Sequence, residues 1–256
     1  MTNKYDDALY RNPDLAQFYD MDNEWRADFD VYLARAASAA RILDLGCGTG
    51  TLMAAIAAAC PHKTLVGADP AQAMLTIAQQ KTKNVRWVQS SAENLDLDLT
   101  FDLIILSGHA FQVFLTREQR IAALQAIQRH LSRDGIVLFD SRNPLAEEWR
   151  EWTPELTRET RISDEFGVII SWNDVAEHNG VIRYSTFYQR GENGLVLSAE
   201  SDITFPSFAE ICDAVEYSGL AINRVCGDWQ HSPFQPGSPE MVFELCHPER
   251  TQTCAA

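Results

Sequence analysis

Apolar residues in the first half of the chain form short runs that alternate with segments of helical periodicity. Runs typical of buried strands lie at 42–45, 64–70, 85–89, 101–106 and 136–139. After the first run, Leu52 and Ile56 lie four residues apart, and Pro61 ends the helix that they predict. Strands that alternate with helices predict an α/β fold around a mostly parallel sheet.

Two further helices carry start signals of their own. Each follows a capping box, in which a hydroxyl residue precedes Glu or Gln by three positions. The boxes are Thr116 with Gln119, before a helix at 117–131, and Ser207 with Glu210, before a helix at 208–217.

Beyond Pro144 the pattern changes from continuous apolar runs to alternation with a period of two. The runs at 168–172, 181–188 and 195–205 are separated by the turn sequences HNG and GENG. We therefore predict an antiparallel insertion of three or four strands. The runs at 221–226 and 240–246 predict two last strands of the main sheet.

The first forty residues predict a helical cap, because apolar residues from Trp25 to Ala36 recur at helical spacing. The predicted organisation is a cap at 1–40, a core at 41–143 and 206–247, and a β lid at 144–205. In the lid, Trp149, Trp152 and Trp172 either line an apolar pocket or pack within the lid.

Between the first strand and its helix lies a glycine-rich turn, in the sequence ILDLGCGTG at 42–50. Glycines there allow positive φ and a close approach of a ligand to the backbone, next to a helix N-terminus. The dinucleotide fingerprint G-x-G-x-x-G would need a third glycine where Thr51 stands. The turn therefore favours a polar small molecule that is not a nicotinamide or flavin dinucleotide.

The segment DLGCGTG resembles motif I of the class I S-adenosylmethionine-dependent methyltransferases. The resemblance covers residues 41–140 and implies a Rossmann-like seven-stranded sheet in the order 3-2-1-4-5-7-6, its final strand antiparallel and the β insertion lying over the cofactor. It also implies S-adenosylmethionine as the cofactor, with in-line transfer of its methyl group to a nucleophilic N, O or C atom of a small molecule.

The resemblance implies a set of cofactor-binding residues at the ends of the first four strands. These are Asp44, Gly46, Cys47, Gly48, Gly50, Asp69, Pro70, Met74, Ser91, Ala92, Glu93, Ser107 and Gly108. We expect Asp69 to accept hydrogen bonds from both ribose hydroxyls; the alternative is that it caps a helix beginning at Pro70. Ser91 stands where the family commonly has Asp, so its bond to the adenine amine lacks charge assistance.

The segment SGHAFQ follows the fourth strand, where the resemblance places the reactive end of the cofactor. We expect His109 to act as a general base, with activity falling as the pH drops through about 6.5, the ordinary pKa of histidine. The alternative is a structural or positioning histidine. The residues expected to contact the substrate are Tyr10, Tyr19, His109, Phe111, Gln112, Arg142 and Asn143.

Composition narrows the class of partner. A formal charge of −15 over 256 residues argues against nucleic acid, and no segment reads as a membrane span or a signal peptide. The six cysteines, Cys254 among them, show no metal-binding spacing, so we expect no metal and a reducing cytoplasm. The expected state is a monomer or homodimer.

Two other functions stay open on the sequence alone. The first is an enzyme of the same fold that modifies the cofactor itself. The second is a non-catalytic partner that retains the cofactor pocket; the intact glycine turn and Asp69 argue against it.

Overall fold

The structure is a computed structural model that describes residues 7–251. Eleven strands, numbered in chain order, lie within that range. They are β1 (Arg41–Leu45), β2 (Thr64–Asp69), β3 (Arg86–Gln89), β4 (Phe101–Leu106), β5 (Leu131–Arg142), β6 (Glu159–Ser163), β7 (Gly167–His178), β8 (Val181–Arg190), β9 (Val196–Thr204), β10 (Ala221–Cys226) and β11 (Glu240–Cys246). Residues 1–6 of the predicted cap, and Cys254, lie outside the described range.

Seven of these strands form one sheet in the order β3-β2-β1-β4-β5-β11-β10. Strands β1 to β5 pair in parallel, and β11 is antiparallel to both of its neighbours. With the four insertion strands left out of the numbering, this is the predicted order 3-2-1-4-5-7-6 with its antiparallel final strand. The predicted class I fold is confirmed.

Helices cover both faces of this sheet and provide the cap. Numbered in chain order, they are α1 (Ala8–Arg11), α2 (Pro13–Ala16), α3 (Tyr19–Asp22), α4 (Ala27–Ala36), α5 (Thr51–Ala59), α6 (Gln72–Lys81), α7 (Arg117–His130), α8 (Pro154–Thr157), α9 (Phe208–Ser218) and α10 (Pro248–Thr251). Both predicted capping boxes are confirmed, at α7 and α9. Leu124 and Ile127 of α7 and Val215 of α9 pack into the core on one face, and Ile56 of α5 into the core on the other.

Two element boundaries differ from the prediction. Strand β5 begins at Leu131 rather than 136, because Leu131 pairs with Phe101 before a bulge brings Ile136 opposite Leu103. Helix α4 begins at Ala27, so Trp25 lies before it and is 44 % exposed. The buried face of α4 is formed by Tyr32 and Ala36 instead.

The insertion forms a separate four-stranded antiparallel sheet, β6-β7-β8-β9. Its central hairpin turns at Asn179 and Gly180, which both have positive φ, as a two-residue type I′ turn requires. The prediction of three or four antiparallel strands is confirmed, whereas the division of the chain into domains stays a prediction.

Helices α1 and α2 lie between this second sheet and the core. They contact β9 on one side and α6 on the other. Leu9, Leu15 and Phe18 pack against Ile169 and Tyr188 of the second sheet. The N-terminal segment therefore joins the insertion to the cofactor-binding half of the molecule.

Candidate active site

A cavity of about 910 Å³ opens at the carboxyl ends of the parallel strands. Its walls are formed by the N-terminal segment, by the turns after β1, β2, β3 and β4, and by the inner face of the second sheet. Ligands of open α/β sheets bind at this end of the strands. The volume lies near the upper limit for ligand pockets, so the cavity has room for a cofactor and a second small molecule.

Two glycines of the turn after β1 form part of the cavity wall. Gly46 and Gly48 have φ values of 81° and 53°, in the left-handed region. A Cβ added at Gly46 would lie 3.1 Å from the Cβ of Ala110, and one at Gly48 would lie 3.6 Å from the ring of Tyr19. Both positions need glycine for the backbone conformation, and a side chain at Gly46 would also crowd Ala110.

The third glycine of the turn has a different role. A Cβ at Gly50 would lie 2.4 Å from the Trp87 ring, and Gly50 is not part of the cavity wall. This glycine leaves room for the Trp87 ring and for Ala78 of α6, so the structure gives no support to the predicted cofactor contact at this position.

Asp69 binds the glycine turn as well as facing the cavity. Its carboxylate accepts hydrogen bonds from the backbone N–H of Gly48 at 2.9 Å and of Ala71 at 2.8 Å. Helix α6 begins at Gln72 with Ala71 as its N-cap and without a side-chain cap. Pro70 is thus not the first helical residue, and the alternative of Asp69 as a cap of that kind is wrong.

A second acid, Asp44, lies at the end of β1 and is almost completely buried. Neither of its carboxylate oxygens has a hydrogen-bond partner within residues 7–251. Burial and the nearby Asp69 raise the pKa of Asp44 to about 8. Burial without a partner therefore keeps Asp44 protonated at neutral pH.

The turn after β3 supplies Ser91, Ala92 and Glu93 to the cavity wall. The Ser91 hydroxyl accepts a hydrogen bond of 2.8 Å from the side-chain amide of Asn94. It therefore retains its own proton and its second lone pair for a ligand.

His109 stands at the end of β4 in a left-handed conformation, with φ of 61°. Its backbone N–H donates to Oδ1 of Asp140 at 3.1 Å. Its ring Nε2 lies 3.0 Å from Oε1 of Glu240 and 3.2 Å from Oδ2 of Asp140. A non-glycine residue in this conformation is strained, and the two acids hold it in place.

Burial in this cluster shifts the protonation of all three groups towards their neutral forms. It lowers the pKa of His109 to about 4, raises the pKa of Glu240 to about 7, and raises that of Asp140. His109 is thus already neutral at pH 6.5. Protonation of His109 therefore cannot cause the loss of activity that was predicted around that pH. Any acid limb from the imidazole belongs near pH 4.

The cluster also has the composition of a metal site, which the cysteine spacing did not suggest. One atom each from His109, Asp140 and Glu240 lie within 4.8 Å of one another. Histidine and carboxylate ligands suit several divalent metals.

The cavity wall brings together most of the residues predicted to bind cofactor or substrate. These are Tyr10, Tyr19, Gly46, Gly48, Asp69, Pro70, Met74, Ser91, Ala92, Glu93, Ser107, Gly108, His109, Gln112 and Arg142. Trp152 and Trp172 of the lid also belong to the wall, whereas Trp149 packs against Phe205 at 4.4 Å between ring centroids.

Four other predicted residues, besides Gly50, lie away from the wall. Asp44 and Cys47 are buried, and Phe111 stacks on Phe139 in the core at 4.5 Å between ring centroids. The Asn143 amide donates to the backbone oxygens of Pro236 and Ser238. It therefore fixes the loop before β11, and a substrate contact by Phe111 or Asn143 finds no support.

Three residues of the site were not predicted from the sequence. Asp140 belongs to β5, Glu240 begins β11, and Tyr184 of β8 shares a hydrogen bond of 2.6 Å with the Tyr10 hydroxyl inside the cavity. Glu240 lies 131 residues from His109 in the chain. Only the pairing of β11 with β5 brings them together, and no local pattern indicates it.

The sheet order, the glycine turn and the cavity at the strand ends define a class I methyltransferase fold. Residues 42–135 match the family model of a methyltransferase domain. Among solved structures, the chain is similar to an S-adenosylmethionine-dependent methyltransferase from Clostridium acetobutylicum, with a TM-score of 0.71, 18 % identity, and coverage of 91 % of this chain and 98 % of the other. A sugar N-methyltransferase from Streptoalloteichus gives a TM-score of 0.73 at 18 % identity, covering 96 % of this chain and 97 % of the other.

Sequence relatives agree with the structural neighbours. The chain is 28 % identical to a cypemycin N-terminal methyltransferase from a Streptomyces species, over 80 % of this chain and 82 % of the relative. It is 39 % identical to a malonyl-[acyl-carrier protein] O-methyltransferase from Bacillus cereus, over 40 % of this chain and only 37 % of that relative. The protein is an S-adenosylmethionine-dependent methyltransferase, with S-adenosylmethionine as its methyl donor.

Among residues 7–251, no helix is both long and apolar enough to cross a membrane.

Proposed function

We propose that the protein transfers the methyl group of S-adenosylmethionine to an amine or hydroxyl of a small molecule bound under the β lid. One observation carries the proposal: a single cavity runs from Gly46, Gly48 and Asp69 to His109, and on to the lid. Cofactor and acceptor therefore share one enclosed space, as direct transfer requires.

On the cofactor side, the residues present fit an adenosyl sulfonium compound. Gly46 and Gly48 leave the space that a Cβ would fill, and the lone pairs of Asp69 that remain free accept from ribose hydroxyls. The bound cofactor supplies an electrophilic methyl group, so the protein contributes alignment and exclusion of water.

On the acceptor side, His109 supplies a general base at the mouth of β4. The imidazole is neutral at physiological pH because burial lowers its pKa to about 4. A neutral imidazole accepts a proton, which an amine or hydroxyl must lose and a carbanion has already lost. This favours nitrogen or oxygen as the methylated atom.

Arg142 and Gln112 form a second polar group in the cavity wall near the acceptor. The Arg142 guanidinium donates to Oε1 of Gln112 at 3.0 Å and to Glu148 at 3.0 Å, and it lies over the Trp152 ring. Because these contacts fix the side chains, they present a preorganised surface to a small polar acceptor. We propose that they orient it.

The size of the acceptor follows from the same cavity. Relatives and neighbours include enzymes named for a peptide N-terminus, a carrier-bound malonyl group and sugars. Tyr10, Tyr184 and Trp152 contact one another and line the same cavity as His109. We therefore propose a free small molecule as the methyl acceptor. A peptide N-terminus is the second candidate, because the cypemycin N-terminal methyltransferase matches 80 % of this chain.

The test is formation of S-adenosylhomocysteine from S-adenosylmethionine, measured by mass spectrometry with separate panels of small amines, small alcohols and short peptides. We expect product only when an acceptor of the first or second panel is present. Product without any acceptor would point to modification or hydrolysis of the cofactor itself, and product only with peptides would replace the small-molecule assignment.

A further inference from the structure

Three tyrosines of the cavity wall, Tyr10, Tyr19 and Tyr184, form a tyrosine group between the N-terminal segment and the second sheet. The hydroxyls of Tyr10 and Tyr184 lie 2.6 Å apart. The rings of Tyr10 and Tyr19 meet edge to face, with 5.9 Å between their centroids and 69° between their planes. Rings at steep angles to one another form adjacent walls of a box, and aromatic boxes of this kind bind ammonium groups through cation–π contacts.

A carboxylate, Asp7, lies beside the tyrosine group. Its Oδ1 accepts a hydrogen bond of 2.6 Å from the Ser201 hydroxyl, and both residues line the cavity. Burial raises the pKa values of Tyr10 and Tyr184, and the negative charge of Asp7 adds to both shifts, so Asp7 acts on both rings. A carboxylate has about four acceptor sites, and the serine hydroxyl occupies one of them, so others stay available to a ligand.

The arginines of the cavity wall have acids of their own. Four of them form ion pairs, Arg26 with Asp28, Arg142 with Glu148, Arg161 with Asp22 and Arg183 with Asp202. Asp7 instead bonds to a neutral hydroxyl, while the charges of Arg11 and Asp202 act on it in opposite directions. An anionic ligand would have to compete with an acid for an arginine, whereas a cationic ligand finds a carboxylate next to aromatic rings.

The tyrosine group and Asp7 share no residue with the cluster around His109. At the other end of the tyrosine group, the Tyr19 ring lies over Gly48 of the glycine turn. One cavity contains all of these residues. A single acceptor therefore has room to place one group against Asp7 while another atom faces the methyl donor.

We propose that Asp7 and the tyrosine group form an ammonium site, so that the acceptor is a small molecule with a cationic amine in addition to the atom that is methylated. This inference rests on the proposed function and narrows its acceptor to compounds such as diamines, amino alcohols and amino sugars. The carboxylate binds the N–H groups or the charge of the cation, and the ring faces replace part of its hydration.

The sulfonium group of the cofactor is the competing occupant of the tyrosine group, because Tyr19 borders the glycine turn. The position of Asp7 favours the acceptor instead. Ser201, which bonds to Asp7, belongs to β9 of the second sheet. The carboxylate therefore lies on the side of the cavity that the lid forms, where we propose that the acceptor binds.

The test is ¹H NMR titration of the ligand-free protein at pH 8 with choline and with 3,3-dimethyl-1-butanol, which has the same shape without the charge. Burial raises the pKa of Asp7 to about 6, so the carboxylate is ionised at this pH. We expect choline to bind about tenfold more tightly than the alcohol, a ratio that a cation–π contact and a charge pair support together. In Asp7→Asn this ratio should fall about threefold or more.

Two variants of Tyr184 separate the ring from its hydroxyl. Tyr184→Phe keeps the ring and should keep the preference for choline, whereas Tyr184→Leu should lower it. Asp14→Asn removes a charge from an exposed position of α2 outside the cavity wall, and this matched control should bind both probes as the wild type does.

Equal affinities of the wild type for choline and the alcohol, or an unchanged ratio in Asp7→Asn, would overturn the proposal. So would loss of choline binding on addition of saturating S-adenosylhomocysteine, which would assign the tyrosine group to the cofactor. These affinities are measured without turnover, so they succeed or fail independently of whether methyl transfer is observed.

Discussion

At the scale of single residues, two acids near the glycine turn differ in what they contact. Asp69 accepts two backbone hydrogen bonds and faces the cavity, whereas Asp44 is buried with neither oxygen bonded within the described chain. The first is arranged to bind neutral hydroxyls, whereas burial keeps the second protonated at neutral pH. Substitutions at the two positions should therefore have different signatures.

Asp69→Asn should weaken binding of S-adenosylmethionine by about 1.5–3 kcal/mol, the range for hydrogen bonds to a charged group. The asparagine oxygen accepts only one of the two backbone bonds, and its NH2 group faces the other N–H. The ligand-free protein should therefore also lose about 1–3 kcal/mol of stability. Titration calorimetry measures the affinity. Asp98→Asn removes the same charge at an exposed position outside the cavity wall and is the matched control; equal affinities of the two variants would remove Asp69 from the site.

Asp44 should make stability depend on pH. Its folded-state pKa of about 8 lies above the ordinary value of 3.8, so between these values the folded protein holds a proton that the unfolded chain has lost. Stability should therefore rise as the pH falls from 8 to 6, by ~2 kcal/mol from this residue alone. The raised pKa values of Glu240 and Asp7 add to this gain in stability on acidification. The lowered pKa of His109 reduces the gain, but only below the ordinary histidine pKa of 6.5.

Urea unfolding of the wild type and of Asp44→Asn at pH 6 and pH 8 isolates this contribution. The variant should gain less stability than the wild type on acidification, by about the amount given above. An identical pH dependence in both proteins would mean that Asp44 is ionised in the folded state.

At the scale of elements, the N-terminal segment is tied to the glycine turn by one side chain. Asp20 of α3 accepts from the hydroxyls of Thr49 and Thr51 and pairs with Lys81 at 2.6 Å. In the same helix, the Tyr19 ring lies over Gly48. Helix α3 therefore covers the glycine turn on this side, and it must move before a ligand bound at the turn can leave past it.

Asp20→Asn should accelerate dissociation of S-adenosylhomocysteine about fivefold. The estimate corresponds to about 1 kcal/mol, since Asp20 is partly exposed and its ion pair is screened by solvent. Stopped-flow displacement, followed by tryptophan fluorescence, measures the rate. Asp14→Asn, on an exposed position of α2, should dissociate at the wild-type rate. Equal rates in all three proteins would show that α3 does not control release.

The strands show which boundaries and site residues could be predicted from the sequence. Strands β4, β10 and β11 begin and end at the predicted residues, because continuous apolar runs and flanking turns are local signals. The early start of β5 was missed, because Leu131 becomes a strand residue only through its pairing with Phe101. His109 could be predicted because it directly follows β4, which is a local signal. The place of Glu240 in the site could not, because it depends on the pairing of β11 with β5.

At the scale of the whole molecule, three parts of the chain enclose one cavity. The parallel sheet provides the glycine turn and His109, the second sheet provides Tyr184 and Trp152, and the N-terminal segment lies between them. The inner faces carry residues of both charges and several aromatic rings. One cavity with this mixed lining has room for a cationic donor and a small polar acceptor side by side.

The crystal structure of the protein with bound S-adenosylhomocysteine tests the central claim most directly. We predict that the ribose hydroxyls contact the Asp69 carboxylate, that the adenine lies against the segment 91–93, and that the sulfur faces His109. A ligand with its ribose away from Asp69, or with its sulfur directed away from His109 and the lid, would contradict the assignment of this cavity as the site of methyl transfer.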